Sequence, residues 1–171
     1  MKGPVLVAFA TRYGSTQEVA EAVAKSLRGA SLDVDVKPLR EVKTLEGYGG
    51  VVVGAPLQMF LWHKDALVFL SRQQTALTDL PVAVFALGPF NDVEKEWNAV
   101  IAQLDKELAK FPWFSPMAVK VFGGKFDPTA LGLPFTLLPA LKKIPAADIR
   151  DWNAIDAWGK ELAANFQAEP G

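Results

Sequence analysis

Residues 4–28 read PVLVAFATRYGSTQEVAEAVAKSLR, and this stretch decides the fold. Val5–Phe9 is an apolar run, which is typical of a strand buried on both faces of a sheet. The short polar loop 11–16 follows, and apolar residues then recur at helical spacing over 19–27. A strand, a small loop and a helix start in this order predict an anion site, because free backbone N–H groups and the positive end of the helix dipole converge there.

The loop suits a phosphate that stays bound. Thr11, Ser15 and Thr16 supply three hydroxyls around Gly14, and the loop has no lysine. It matches neither the glycine fingerprint of dinucleotide-binding folds nor the lysine-containing loop of nucleoside triphosphatases. Ser15 and Glu18 have the spacing of a capping box, which places the helix start at Ser15. Two interpretations stay open, a phosphate-monoester site and an ordinary strand-to-helix turn with a well-capped helix.

Composition limits the functions that the chain can have. Half of the 171 residues are hydrophobic, which predicts one domain, 1–171, with a sizeable core. A net charge of −1 gives no field that would attract nucleic acid. Cysteine is absent and His63 is the single histidine, so thiolate chemistry is excluded and no metal site is expected. No apolar run reaches the ~18–20 residues of a membrane span, and we expect a cytoplasmic protein.

The rest of the chain alternates predicted strands and helices. Further strands are expected at 32–36, 51–54, 81–87 and 118–122, and further helices at 64–74, 92–111 and 152–166. Residues 55–63 are predicted to form a loop and 123–149 an irregular apolar segment. This alternation favours an α/β fold with a parallel sheet between layers of helices. Ligands bind such sheets at the carboxyl ends of the strands, which here are the loops 11–16, 55–63 and 87–91.

At these three loops the sequence resembles the flavodoxin-type FMN-binding proteins. TRYGST at 11–16 is similar to the family's phosphate loop, and VVVGAP at 51–56 to the strand and turn that open one flavin loop. ALGPF at 86–90 stands where the loop over the other flavin face belongs. The resemblance implies a flavodoxin-like three-layer sandwich with a five-stranded parallel sheet of order 2-1-3-4-5, and FMN as cofactor.

Within that family the chain is most similar to the menaquinone-dependent protoporphyrinogen oxidase (protoporphyrinogen IX dehydrogenase) branch. TRYGSTQEVA at 11–20, GGKF at 123–126 and an apolar insertion at about 124–149 carry this likeness. The loop 57–62, LQMFLW, departs from that branch because it has no basic residue where the oxidases carry an arginine.

The resemblance assigns the cofactor contacts to three groups of residues. The phosphate would be held by Thr11, Arg12, Tyr13, Gly14, Ser15 and Thr16. One face of the flavin ring would meet Pro56, Leu57, Gln58, Phe60 and Trp62, with Phe60 or Trp62 stacking on it. The other face would meet Leu87, Gly88, Pro89 and Phe90, with Phe90 or Leu87 against the ring. Each of these aromatic side chains could equally belong to the core.

Two further features have two interpretations each. His63 is either a proton donor near the ring or a partly exposed residue at a helix start. The segment 126–141 either packs on the sheet as a plain loop or presents apolar side chains to a hydrophobic substrate, a partner or a membrane surface. Those side chains are Leu131, Leu133, Phe135, Leu137 and Leu138. In the membrane case the contact is peripheral, through 126–143, with Lys142 and Lys143 at the headgroups.

The function expected from these features is that of an FMN-dependent oxidoreductase acting on a hydrophobic ring substrate, protoporphyrinogen IX or a quinone. No catalytic side chain is assigned, because the flavin carries the chemistry. The alternative is a flavodoxin electron carrier whose partner is a redox protein. Electron carriers use a strong net charge to attract such partners electrostatically. A net charge of −1 does not provide this attraction. A flavodoxin-like scaffold without FMN is a third alternative, against which the intact hydroxyl loop argues.

Overall fold

A computed structural model of the chain describes residues 2–59, 61–132 and 137–168. The strands are β1 Val5–Phe9, β2 Val34–Pro38, β3 Gly50–Gln58, β4 Leu61–Trp62, β5 Val82–Leu87, β6 Ala118–Phe122, β7 Lys125–Phe126 and β8 Ala147–Asp148. The helices are α1 Ser15–Gly29, α2 Lys64–Arg72, α3 Gln74–Asp79, α4 Glu94–Leu108, α5 Pro139–Lys142 and α6 Trp152–Ala168.

The main sheet has the order β2-β1-β3-β5-β6, and all of these strands are parallel. The two-residue strand β4 is an antiparallel addition to β3. When β4 is left out of the count, this is the predicted order 2-1-3-4-5, and the flavodoxin-like α/β fold is confirmed. The edge strand β2 alternates half-buried and exposed residues, as expected for a strand that borders solvent.

Two cores lie on opposite faces of the sheet, because successive side chains of a strand point to opposite sides. On one face Leu6 and Ala8 of β1 join the core that contains Leu70 of α2 and Leu104 of α4. On the other face Val5 and its alternating neighbours join a core built from α1 and α6. Both faces are therefore covered, which explains why the central strands are continuous apolar runs.

The prediction of a loop over 55–63 is wrong. Strand β3 continues to Gln58, because its ladder with β5 extends to the pair Pro56 and Leu87. Pro56 lies beyond the last β1 pairing at Gly54, so its missing N–H interrupts no bond to that strand. The chain then turns at Met59, which has a φ of 48°, and β4 returns along β3. The segment is a tight hairpin.

The insertion is less irregular than expected. Strands β7 and β8 pair antiparallel and close its base, and a short 3-10 turn at Pro128–Ala130 and helix α5 lie between them. Leu131 is half-buried, whereas Leu137 and Leu138 are exposed. Leu133 and Phe135, which were predicted to present apolar surface, lie outside the described residues. Asp127 and Asp151 accept hydrogen bonds from backbone N–H groups at the starts of the helical turns that follow them.

Within the described ranges, no helix combines the length and the apolar character needed to cross a membrane.

Candidate functional site

The loops after β1, β3 and β5 meet at the carboxyl edge of the sheet. The Ala10 amide donates to the Gly54 carbonyl at 2.9 Å, which fixes the exit of β1 beside β3. The Gly88 amide donates to the Phe122 carbonyl at 2.8 Å and holds the exit of β5 beside β6. The order of strands reverses between β1 and β3, so these loops surround the switch point where open α/β sheets bind ligands.

The loop 11–16 is shaped by one internal hydrogen bond. The Gly14 amide donates to Thr11 Oγ1 at 2.8 Å. Gly14 has a φ of 89°, a left-handed conformation that favours glycine, and it precedes the first residue of α1. Helix α1 does begin at Ser15, but the predicted capping box is wrong, since Gly14 is the cap and provides no side chain for it. The Glu18 carboxylate turns instead to Arg150.

Thr16 carries an unsatisfied hydroxyl in the first turn of α1. Its side chain is fully buried, and its Oγ1 is the one buried side-chain polar atom without a hydrogen-bond partner in the part of the chain that the structure describes. An unpaired buried polar group costs about 1–3 kcal/mol. The free amides of the helix start lie in the same turn. A bound anion there would supply the missing acceptors, so this loop fits a phosphate.

Two of the remaining three residues of the loop reach outward. Arg12 and Tyr13 are exposed, and the Arg12 guanidinium lies 5.6 Å from the centre of the Tyr13 ring. Ser15 is half-buried, and its carbonyl accepts a hydrogen bond from Arg150. The loop therefore places buried hydroxyl and amide donors inside and an aromatic ring at its rim.

Several residues predicted to cover a ring belong to the core. Leu57, Trp62 and Leu87 are buried, and the Trp62 indole N–H donates to the Ala55 carbonyl at 3.1 Å. Trp62 is therefore occupied in the interior, and the structure gives no support to its stacking on a ligand. Pro56, Gly88 and Pro89 are also buried, and Gln58 is half-buried. Phe60 lies outside the described residues.

The apolar side chains left exposed at this edge come from all three loops. Among the described residues they are Tyr13, Met59, Leu61 and Phe90. Of these, Met59 and Leu61 were not expected, because the hairpin that presents them was predicted to be an irregular loop. These side chains supply an apolar rim near the hydroxyl-lined loop.

Phe90 is supported from the base of the insertion. Its ring lies 5.5 Å from that of Phe126 in β7, and the Gly124 amide donates to the Pro89 carbonyl at 2.9 Å. A Cβ atom at Gly124 would lie 2.4 Å from the Gly88 carbonyl oxygen, so only glycine permits this close approach. The GGKF segment therefore fixes the loop after β5, a role that the sequence alone did not reveal.

His63 is the N-cap of α2. Its Nδ1 accepts from the Asp65 amide at 3.1 Å, which leaves the proton of the neutral ring on Nε2. Burial lowers the pKa of His63, although the Asp65 carboxylate partly opposes this shift. The interpretation as a residue at a helix start is confirmed by this geometry.

A groove away from the three loops and the possibility of a metal site also bear on where a ligand binds. An open groove of about 440 Å³ runs beside β2, around Lys37 and Tyr48, and includes none of the three loops. Three of its polar side chains bond to one another, since Lys37 donates to the Tyr48 hydroxyl and that hydroxyl donates to Asp35. Over the described residues, no group of three histidine, cysteine or carboxylate side chains is arranged to hold a metal ion. The carboxyl edge of the sheet is therefore the candidate site.

A model of the Flavodoxin domain family matches residues 6–134, well over half of the chain. The chain belongs to the Flavodoxin domain family, and membership implies a flavin cofactor. The fold agrees with this assignment. Flavodoxin 1 from Bacillus cereus superimposes with a TM-score of 0.59 at 16% identity, covering 99% of this chain and 100% of that one. The rubredoxin oxygen:oxidoreductase of Desulfovibrio gigas gives a TM-score of 0.60 at 16% identity, covering 98% of this chain and 37% of that one.

The chain is also similar to the protoporphyrinogen IX dehydrogenase (quinone) of Escherichia coli strain K12. The two are 29% identical over 85 residues, which cover 48% of this chain and 47% of the relative. The same enzyme from Escherichia coli O157:H7 gives the same match. The chain thus matches about half the length of the curated relatives, and the likeness to this branch is that of a distant relative.

The lowered pKa of His63 predicts how stability responds to pH. The unfolded ring has a pKa near 6.5, so below that value the unfolded chain binds a proton that the folded chain resists. Stability is therefore full above about pH 6.5 and falls as the pH drops toward the folded pKa. Urea unfolding at pH 7.5 and 5.5 should show this loss, and His63→Asn, which can still cap α2, should show a smaller one.

This comparison isolates the histidine. Asp127, Asp148 and Asp156 have pKa values held below 3.8 by hydrogen bonds, so they lose their contributions only in more acid solution. An equal loss of stability in the wild type and in His63→Asn would show that this ring does not titrate as its environment indicates.

Proposed function

We propose that the protein is an FMN-dependent oxidoreductase that acts on a hydrophobic ring substrate, a quinone or protoporphyrinogen IX. The observation that carries the proposal is the unpartnered, buried Thr16 hydroxyl at the switch point of a flavodoxin-family sheet. The distant likeness to a protoporphyrinogen IX dehydrogenase supports the choice of reaction.

The loop 11–16 would hold the FMN phosphate through hydroxyl and amide donors. Thr11 Oγ1 already accepts from the Gly14 amide, so its own proton is left to donate to a phosphate oxygen. Thr16 would donate its unused hydroxyl proton, and the amides at the start of α1 would add hydrogen bonds along the helix dipole. The Gly14 amide is engaged within the loop and would not contribute.

FMN, once bound, supplies the reversible redox chemistry of the reaction. The residues around the flavin ring would position it and exclude water from the part that they cover. Tyr13 and Phe90 would offer apolar contact from two loops, and the hairpin side chains Met59 and Leu61 from the third. Phe126 would keep Phe90 in place, since the two rings lie in contact.

The insertion would admit the substrate. Leu137, Leu138 and Ile144 are exposed although they are large and apolar, and Lys142 and Lys143 beside them are exposed cations. Such a surface suits a hydrophobic ring system. We extend the proposal to peripheral membrane contact through 126–143, because lysines beside apolar side chains match a lipid surface with anionic headgroups.

The second candidate is an electron carrier without a small-molecule substrate. The structural likeness to flavodoxin 1 of Bacillus cereus favours it. The net charge of −1 disfavours it, because a carrier gains its encounter rate from strong charge complementarity with its partner.

Thr16→Val tests the phosphate site. The substitution removes the hydroxyl and nearly keeps the shape, so FMN affinity should fall by roughly 1–3 kcal/mol. The stability of the flavin-free protein should rise, because an unpaired buried hydroxyl is removed. FMN titration followed by fluorescence and urea unfolding of the flavin-free protein measure the two effects.

Thr16→Ser is the matched control, because it keeps the hydroxyl and loses only a methyl group. It should retain most of the affinity for FMN. Unchanged FMN binding by Thr16→Val would remove Thr16 from the phosphate site.

Rapid mixing of the reduced FMN-loaded protein with a menaquinone analogue distinguishes the enzyme from the carrier. An oxidoreductase with an apolar substrate site should reoxidise at a rate that saturates with quinone concentration. Leu138→Asp, on the exposed part of the insertion, should raise the quinone concentration that gives half-saturation and leave FMN affinity unchanged.

Porphyrinogen oxidation would then be measured with the same quinone as acceptor. A bound flavin that does not react with quinones or with porphyrinogen would contradict the enzyme and favour the carrier.

A further inference from the structure

Arg150 is a buried cation that lies 132 residues along the chain from Glu18, which it contacts. It follows β8, at the point where the insertion returns to the main fold and α6 begins. Only 3% of its side chain is exposed. A buried guanidinium is costly unless all of its donors are used, so its contacts indicate what it does.

The guanidinium joins the insertion to the first turn of α1. Nη1 donates to the Ser15 carbonyl at 3.2 Å and to the Glu18 carboxylate at 2.8 Å. Nε and Nη2 donate to the two oxygens of Asp148 at 2.8 and 2.7 Å. The centre of the Trp152 ring lies 4.7 Å from the guanidinium carbon, and the ring covers one face of the guanidinium. Ser15 lies next to Thr16, so this network is attached to the turn that carries the unpartnered hydroxyl.

The charges of this network bear on a bound phosphate. One guanidinium pairs with two carboxylates, Glu18 and Asp148, and so offsets one of their two negative charges close to the helix start. Without it, two unpaired negative charges would remain near the place where a phosphate dianion would bind. Both carboxylates are exposed, so solvent weakens this repulsion, but at short range it still acts against a bound dianion.

We propose that Arg150 is a positioning residue for the phosphate loop, holding the first turn of α1 in place and pairing with Glu18 and Asp148 so that their negative charge opposes the FMN phosphate less. The inference rests on the proposed function and deepens it, since it concerns the same site. Arg150 would not itself contact the phosphate. It acts through the Ser15 carbonyl and the two carboxylates.

A purely structural role and a positioning role differ in one respect. A structural role would affect riboflavin and FMN equally, because both carry the flavin ring. A positioning role for the phosphate loop affects FMN and spares riboflavin, which has no phosphate. The ratio of the two dissociation constants is therefore the readout.

The experiment titrates the flavin-free full chain with FMN and with riboflavin. In Arg150→Met the dissociation constant for FMN should rise at least about tenfold, and that for riboflavin should change less than about twofold. Lys160→Met is the matched control. It also removes an ion-paired cation, the partner of Asp156 at 2.7 Å on α6, and it should leave both constants unchanged.

Arg150→Lys keeps the positive charge but loses the bidentate contact to Asp148. It therefore remains informative if Arg150→Met does not fold. Its FMN constant should rise at least about threefold with riboflavin unchanged. Amide hydrogen exchange of the flavin-free protein adds a second readout, in which residues 15–19 should exchange faster in the Arg150 variants than in Lys160→Met.

The outcomes separate the two proposals. Equal losses of affinity for FMN and riboflavin in an Arg150 variant, or no loss for either, would overturn the positioning role. The proposal that the protein binds FMN would still stand. A wild-type protein that binds neither flavin would overturn the proposed function itself, and with it this inference.

Discussion

The structure depends on the burial of β1, β3 and β5 on both faces. Their side chains point alternately into a core beneath α2 and α4 and a core beneath α1 and α6, and both cores exclude water. Burial at about 25 cal/mol per Å² of apolar surface makes this arrangement the dominant stabilising contribution. Because the strands are parallel, the same constraint brings the three loops that follow them to one edge. The candidate site is a consequence of how the sheet is covered.

At that edge the protein holds donors without partners. Thr16 keeps a buried hydroxyl unsatisfied, and the Gly14 conformation aims the start of α1 at the switch point. The unsatisfied hydroxyl costs stability in the flavin-free protein, and a bound phosphate would recover that cost. Arg150 fixes the same turn from the insertion, and Phe126 supports the loop after β5. The insertion is thus attached to two of the three loops through its base, β7 and β8.

The sequence predicted those parts of the molecule that local patterns determine. The apolar run at Val5–Phe9 and the helical spacing after it identified β1 and α1, and their loop was recognised from its hydroxyls. The prediction of a loop over 55–63 was wrong because Gly54 and Pro56 are typical of the end of a strand. The pairing of β3 with β5 continues the strand, and that pairing involves residues 31 positions away.

For the same reason, the sequence left open whether Trp62 belongs to the core or to the ligand site, and it did not predict the contacts of Arg150. Trp62 is buried because β4 folds back on β3, and its N–H finds a carbonyl in that strand. Arg150 meets Ser15 and Glu18 only after α6 has packed beside α1. Contacts of this range follow from the tertiary fold, and a periodic pattern in one segment does not contain them.

Phosphorus NMR of the FMN-loaded protein directly tests whether the loop 11–16 holds the FMN phosphate. Free phosphate monoesters change charge with a second pKa near 6, so their resonance moves between about pH 8 and 5. A phosphate held by the Thr11 and Thr16 hydroxyls and by the start of α1 should remain a dianion, since these donors favour the charged form. We therefore predict a resonance that does not move across this range. A resonance that titrates near pH 6, as in solution, would contradict it.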